Sequence, residues 1–193
     1  TINFTPTDDS LYDAASNETA TIAINGVSGK TGVEEHGTPQ SRTITITDDE
    51  SAPTVTLSVS STSIAENAGS SVTITATLSG GTYETVTVGL GFSGATEGTD
   101  FTDGSGSVDD ITISAGSTTG TVNFTPTDDS IYEGSETVTV TIDSVSNGGA
   151  SESGSQSRTI TITDDESAPT VTLSVSSTSI AENSGSSVTI TAT

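Results

Sequence analysis

Apolar residues are few along this chain, but where they occur they alternate, most often with threonine. Val55, Leu57 and Val59 in TVTLSVS, Val72 and Ile74 in SVTITATL, and Val86, Val88 and Leu90 in TVTVGLGF recur at every second position. The same period returns at Ile111 and Ile113, Val122 and Phe124, Val138, Val140 and Ile142, and Ile160 and Ile162. A strand points successive side chains to opposite faces, so each run turns an apolar row inward and a threonine row to water. Valine, isoleucine and threonine also suit an extended backbone. No run repeats every three to four residues, as an amphipathic helix requires. The pattern predicts an all-β chain, with strands in its central part at about 54–65, 71–78, 85–92, 110–114, 120–125, 136–143 and 158–163.

The chain also repeats itself. TVTLSVSSTSIAEN begins at Thr54 and again at Thr170, and RTITITDDESAPTVTLSVS at Arg42 and Arg158, both with an offset of 116. TINFTPTDDS at Thr1 returns as TVNFTPTDDS at Thr121, an offset of 120, because two loops of the first copy are longer. A period of this length is that of a whole sandwich domain and far exceeds that of a solenoid repeat. Residues 54–166 read as one complete repeat, 1–50 as the last three strands of a preceding one, and 170–193 as the first two strands of a following one, with linkers at 51–53 and 167–169. Both ends thus fall inside repeats, which reads as a window on a longer polymer. Head-to-tail pairing of two molecules would not complete a domain, because the equivalent of residues 78–120 would still be missing. Pro53 and Pro169 stand where a strand begins, a position that tolerates proline. Linkers this short and free of Gly/Ser tracts are stiff, so a rod of domains is expected.

Composition narrows the functional classes. Against 26 Asp and Glu stand 3 Lys and Arg, a net charge of −23, and only 29 % of residues are hydrophobic. Such numbers can mark disorder, but the strict alternation gives the few apolar residues a common face to bury. The absence of cysteine excludes disulfides, thiolate metal sites and thiol nucleophiles. Nucleic-acid binding requires a basic footprint, which is missing here. No apolar run approaches the ~18 residues of a membrane span.

Strand parity places the acids. If successive strands simply reverse direction, four connections share one tip: the turn after the first strand, the loop after the third, the loop after the fifth, and the end of the seventh. Glu66, Glu97 and Asp100, Asp128, Asp129, Glu133 and Glu136, and Asp164, Asp165 and Glu166 all lie in these connections. The opposite end is Gly/Ser-rich, as in SVSNGGASESGSQ. Two charges ~4 Å apart repel by about 4 kcal/mol at an effective dielectric of 20, and Lys30, Arg42 and Arg158 are too few to offset such crowding at every tip. Oxygen-only clusters suit hard cations, and Ca²⁺, which accepts six to eight oxygens in flexible geometry, suits this one better than Mg²⁺. A lone Asp-Asp pair would be an ordinary solvated turn. Here four separate connections agree, and TDDS and the TDDE run recur in both copies.

At these residues the chain resembles the Calx-beta domain. Its markers appear in order: Glu-Asn-x-Gly (AENAG, AENSG), Gly-Thr-Asp-aromatic (GTDF), DDSIYEGSE and the closing Thr-Ile-x-Asp-Asp. The resemblance covers the complete repeat and both partial ones. It implies a seven-stranded antiparallel immunoglobulin-like sandwich that binds several Ca²⁺ ions at the tip facing the next domain. Carried over by position, it implicates Glu66, Asp100, Asp128, Asp129, Glu133, Glu136, Asp164 and Asp165, with the carbonyl of Ile131 as a backbone ligand. Ser130 and Glu166 stand where the family often has a third aspartate. In the first partial repeat the matching acids are Asp8, Asp9, Asp13, Glu18, Asp48 and Asp49, and Glu182 belongs to a third site.

The remaining candidates read as structural. His36 has no counterpart in the second copy and is expected at the surface. The carboxylates crowd one tip with no sugar-sized cleft or aromatic platform, which argues against a glycosidase. Tyr83, Phe92 and Phe101 are expected in the core or packed against loops, and the Asn3, Asn17 and Asn123 sequons arise by chance in so threonine-rich a chain. No enzymatic reading remains. The favoured function is a calcium-stiffened extender in a secreted bacterial surface or matrix protein, partnered by neighbouring repeats and by self-association into fibres. Near-identical copies suit an extender better than the two alternatives, a calcium sensor and an adhesive module that itself binds glycan or protein.

Overall fold

The computed structural model describes residues 1–14, 18–29, 31–37, 40–103 and 108–193; Asn17 and Lys30 fall outside them. In chain order the strands are β1 (Leu11–Tyr12), β2 (Glu18–Ala23), β3 (Ser41–Ile46), β4 (Thr54–Val59), β5 (Ser63–Ala65), β6 (Val72–Leu78), β7 (Gly81–Thr82) and β8 (Val86–Gly94). Then follow β9 (Phe101–Thr102), β10 (Ile111–Ile113), β11 (Thr119–Pro126), β12 (Glu136–Ser146), β13 (Ser151–Glu152), β14 (Ser157–Thr163), β15 (Leu173–Val175) and β16 (Ile190–Ala192). Among the described residues the only helical element is a 3₁₀ turn, Glu66–Ala68. The protein is all-β.

Two five-stranded sheets face each other, ordered β10-β8-β12-β14-β5 and β13-β4-β6-β11-β9. The alternation explains the packing. Val72, Ile74, Ala76 and Leu78 of β6 are buried while the threonines between them are partly exposed, and Val138, Val140 and Ile142 of β12 bury the same row from the facing sheet. Phe101 and Phe124, both fully buried, stack with ring centroids 4.6 Å apart, and Phe92 meets Phe101 at 5.4 Å. The buried apolar core runs from Val55 to Ile162 and, among the described residues, takes nothing from either flank.

One predicted strand, about 54–65, is two. β4 pairs antiparallel with β6, whereas β5 crosses to the other sheet and pairs in parallel with β14, in the register Thr161↔Ser63, Ile162↔Ile64 and Thr163↔Ala65. The break falls at a serine run. Ser61 accepts the N–H of Ser63 and donates its hydroxyl to the Ser63 carbonyl, and Thr62 accepts the N–H of Thr161. Small hydroxyl side chains that bond to their own backbone offer an alternative to the ladder, so the chain bends there.

Apart from β1, the strands of the flanks among the described residues form two hairpins, β2 with β3 and β15 with β16. Residues 1–9 carry no strand, although their counterpart forms most of β11. In the complete repeat β11 rests on β6 and β9, and residues 1–50 contain no equivalent of either. β1 finds a different neighbour: it pairs in parallel with β7, across the boundary between the two units.

Candidate metal centre

The end of the sandwich where β5 stops and β14 ends gathers the acids that strand parity placed together. Glu66 opens the 3₁₀ turn, which Gly69 closes in the left-handed region at φ +60, where glycine turns the chain into β6 without steric cost. Asp100 lies in the loop after β8, where its Oδ2 accepts the Thr96 N–H at 2.5 Å. Asp128, Asp129 and Glu133 follow β11, Glu136 begins β12, and Asp164, Asp165 and Glu166 follow β14.

Three groups of carboxylates here have oxygens within 4.8 Å of one another: Glu66 with Asp164 and Glu166, Glu66 with Asp128 and Asp165, and Asp100 with Glu133 and Glu136. Asp129 belongs to none of them; its Oδ1 accepts the Ile131 N–H at 2.6 Å in a local turn. Ile131 leaves its side chain 62 % exposed. Glu66 is the centre of the cluster, shared by two groups and only 8 % exposed.

Its surroundings are wrong for an isolated carboxylate. Glu66 Oε1 and Glu166 Oε2 are buried with no hydrogen-bond donor. Facing acceptors of this kind need a shared proton or a cation between them, since an unpartnered buried charge is strongly disfavoured. The neighbouring Asp164 is different: its Oδ2 accepts N–H from Glu133 (2.9 Å) and Gly134 (2.5 Å), and its Oδ1 accepts from Glu166 (3.1 Å). Asn67 gives its amide to Asp165 Oδ2 at 2.5 Å. Arg158 sits at the start of β14, a seven-residue strand that ends at the acids. At ~3.3 Å per residue it stands about 20 Å from them, and it donates to the Ser157 carbonyl.

The titration of these groups follows. Glu166 is raised from its ordinary 4.5 to about 7, first by the facing Glu66 carboxylate, then by burial and by Asp164. Burial and then the surrounding carboxylates also raise Glu133 and Glu136. Burial opposes ionisation of Asp164, but the N–H groups of Gly134, Glu166 and Glu133 outweigh it and hold it below its ordinary value. A carboxyl whose folded pKa is raised favours the folded state below its unfolded pKa, and this contribution is lost as pH rises through the folded value. In metal-free buffer the protein should therefore lose stability as pH rises from about 4.5 to about 7. Asp164 acts in the opposite sense only below its ordinary 3.8. Melting temperatures at about pH 5 and about pH 8 check the sign, and saturating cation should flatten or reverse the slope.

The first partial unit assembles its acids differently. Asp8, Asp9, Asp13, Glu18, Asp48, Asp49 and Glu50 line one cleft of about 180 Å³ together with Tyr83 of the complete repeat. Asp13 N–H donates to Asp48 Oδ2 at 3.0 Å. None of these acids joins a three-carboxylate group among the described residues; this unit has no counterpart of Glu66 to bring them together. Glu182 is exposed and also joins none. Glu166, Asn67 and Tyr83 are the contributors that spacing did not single out as ligands. The first two stand directly beside marked residues, Asp165 and Glu66. Tyr83, expected in the core or a loop, is 52 % exposed, and its hydroxyl donates to Asp9. This bond, with burial second, pushes Tyr83 up to about 12, and its counterpart lowers Asp9.

A two-sheet sandwich with carboxylates converging on one tip defines a class of acidic-tipped β-sandwich. The Calx-beta domain family model matches residues 48–166, more than half of the chain. The chain belongs to the Calx-beta family. Among solved structures it is similar to the apo-form Calx CBD1 domain, with 18 % identity over 57 % of this chain and 97 % of that one at a TM-score of 0.45. It is also similar to CBD12 from CALX1.2, with 19 % identity over 57 % and 44 % at a TM-score of 0.46. A two-domain protein of unknown function from Bacteroides fragilis aligns at 10 % identity over 65 % and 55 %, TM-score 0.42. No curated protein matches the chain. No helix among the described residues is long and apolar enough to cross a membrane.

Proposed function

We propose that this chain is a calcium-binding extender segment of a long secreted bacterial surface adhesin or extracellular matrix protein, without enzymatic activity. Its repeats stand in tandem, and Ca²⁺ at the tips stiffens the junctions between them. The observation that carries the calcium reading is the pair of buried, donor-less oxygens on Glu66 and Glu166 amid acids from four connections. All-oxygen donors of this kind fit Ca²⁺. Glu66, Asp128 and Asp165 would hold one ion, Asp100, Glu133 and Glu136 another, and Asp164 and Glu166 would add carboxylate oxygens beside Glu66.

The mechanical part follows from position. Asp164 and Asp165 end β14, and the next repeat begins a few residues later at Thr170, after Pro169. Cation bound there fixes the base of the linker, and proline removes a further degree of freedom. Without cation the carboxylates repel and the junction loosens. Extracellular calcium modules bind at ~10⁻⁴–10⁻³ M, so a secreted chain would be loaded outside the cell and loose before export. Small-angle scattering on a protein of at least three complete repeats tests this. Calcium should lengthen the maximum dimension and sharpen the rod-like cross-section relative to chelator. Identical curves would replace stiffening with passive spacing.

A further inference from the structure

The boundary between the first unit and the complete repeat is a direct contact between two folded surfaces. β1 adds to β7 in the register Leu11↔Gly81 and Tyr12↔Thr82, and Tyr83 N–H donates to the Tyr12 carbonyl at 3.2 Å. Two glycines make room for the incoming side chains. A β-carbon at Gly81 would meet Leu11 Cδ2 at 2.7 Å, and one at Gly149, which also lies at φ +60, would meet the Tyr12 ring at 2.5 Å. The Tyr83 hydroxyl closes the contact on Asp9.

The complete repeat carries the same donor motif one period on. TDDSLYD at 7–13 becomes TDDSIYE at 127–133, so Asp129, Ile131 and Tyr132 replace Asp9, Leu11 and Tyr12. The local turn is also the same: Asp9 Oδ1 accepts the Leu11 N–H at 2.8 Å, and Asp129 Oδ1 accepts the Ile131 N–H at 2.6 Å. The difference lies in what covers the pair. Leu11 and Tyr12 are half-buried on β7, whereas Ile131 and Tyr132 are 62 % and 48 % exposed. Two large apolar side chains presented side by side on an acidic tip form a docking surface without its partner.

We infer that Ile131–Tyr132 is a docking strand whose occupant is the Gly-Thr-Tyr edge of a further copy of this domain, bound in the register seen between Leu11–Tyr12 and Gly81–Thr82. The repeats then lock by a short parallel β-bridge, with a tyrosine hydroxyl of each repeat placed on the second aspartate of the preceding tip. This rests on the tandem-repeat part of the proposed function but not on calcium. It also gives Asp129, which joins none of the three carboxylate groups, the role of accepting the next repeat's tyrosine.

Cysteine cross-linking tests it cleanly, because the chain contains no cysteine. In the 193-residue protein, Leu11→Cys with Gly81→Cys should close a disulfide under mild oxidation, since paired strands lie ~4.8 Å apart and disulfides span Cα separations of 4.4–6.8 Å. For the second junction, the protein is extended at Thr193 by a copy of residues 78–166, which completes a second full repeat. Ile131→Cys should then cross-link to a cysteine at the appended copy's equivalent of Gly81, whereas Tyr132→Cys, one residue out of register, should not. Both pairs are oxidised in chelator and in calcium, and closure in either condition supports the bridge. Failure of the Leu11 pair, or of the Ile131 pair alone, overturns the inference, as does equal closure by Tyr132→Cys. A calcium-independent scattering curve would overturn the stiffening reading and leave this result untouched.

Discussion

Chelation should lower the melting temperature of this protein by about 20 °C, and Glu66→Gln should abolish most of that response. A ligand bound only by the folded state adds ~2.7 kcal/mol per site at 100 times its dissociation constant, so two tip sites add about twice that. This is comparable to the ~5–15 kcal/mol that separates folded from unfolded domains. At about 4 °C per kcal/mol for a domain of this size, the shift is ~20 °C. Glu66 is the most informative position because two of the three carboxylate groups share it. Its amide would remove a ligand charge and at the same time relieve the repulsion against Glu166. The variant should therefore melt higher than the parent in chelator and lower in calcium, a crossing that simple damage to the fold would not produce. Asp129→Asn should have the smaller effect on calcium response, and the Asp128→Asn/Asp129→Asn pair should lose mainly through Asp128. If parent and Glu66→Gln melt alike with and without calcium, the tip is only a solvated acidic surface.

The second large effect lies in the core and compares two phenylalanines in near-identical sequence. Phe124 sits in NFTPTDDS, fully buried and stacked on Phe101. Phe4 sits in the same NFTPTDDS at the start of the chain and is 44 % exposed. Truncating a buried phenylalanine removes its transfer free energy and leaves a cavity, together about 3–5 kcal/mol, whereas surface changes are usually within about 0.5 kcal/mol. Phe124→Ala should thus lower the melting temperature by at least about 12 °C and Phe4→Ala hardly at all. Phe124→Leu, which keeps most of the volume, should fall between them and report the packing if the alanine variant fails to fold. Equal losses at Phe4 and Phe124 would mean that the first unit buries its own core.

That pair also shows what could be read from the sequence and what could not. Alternation found the strands because the apolar rows are sparse and regular, so Val72 to Leu78 or Val138 to Ile142 have one possible inner face. It could not show that Phe4 and Phe124 differ, because burial belongs to the neighbours: β6 and β9 exist for one and not for the other. The crossing of β5 to the other sheet was likewise hidden, since a three-residue strand after a serine run has too short a pattern to name its partner. Parity placed the acids on one tip, for chain direction alone decides at which end a loop lies. The division of labour among them depends on individual hydrogen bonds. Asp164 is satisfied by three N–H groups, Asp129 serves its own turn, and Glu66 and Glu166 are left facing each other. Tyr83 lay beyond sequence reasoning altogether, because its partner Asp9 is 74 residues away and in another unit.

The parallel pairing of β5 with β14 bears on how the chain carries tension. Backbone enters the complete repeat at Thr54, at the end remote from the acids, and leaves it after Thr163 beside them. β5 and β14 both run toward the acidic end, in register at Ser63, Ile64 and Ala65. A pull on the two ends therefore drags these strands past each other along their length. Their hydrogen bonds lie across the direction of pull and are loaded together in shear, whereas the bonds of a hairpin pulled open at its end would break one after another. A pull at Thr54 loads the ladder of β4 on β6 first and β5 behind it, so the three residues that cross to the other sheet add a second pairing, with β14, that resists the same pull in shear.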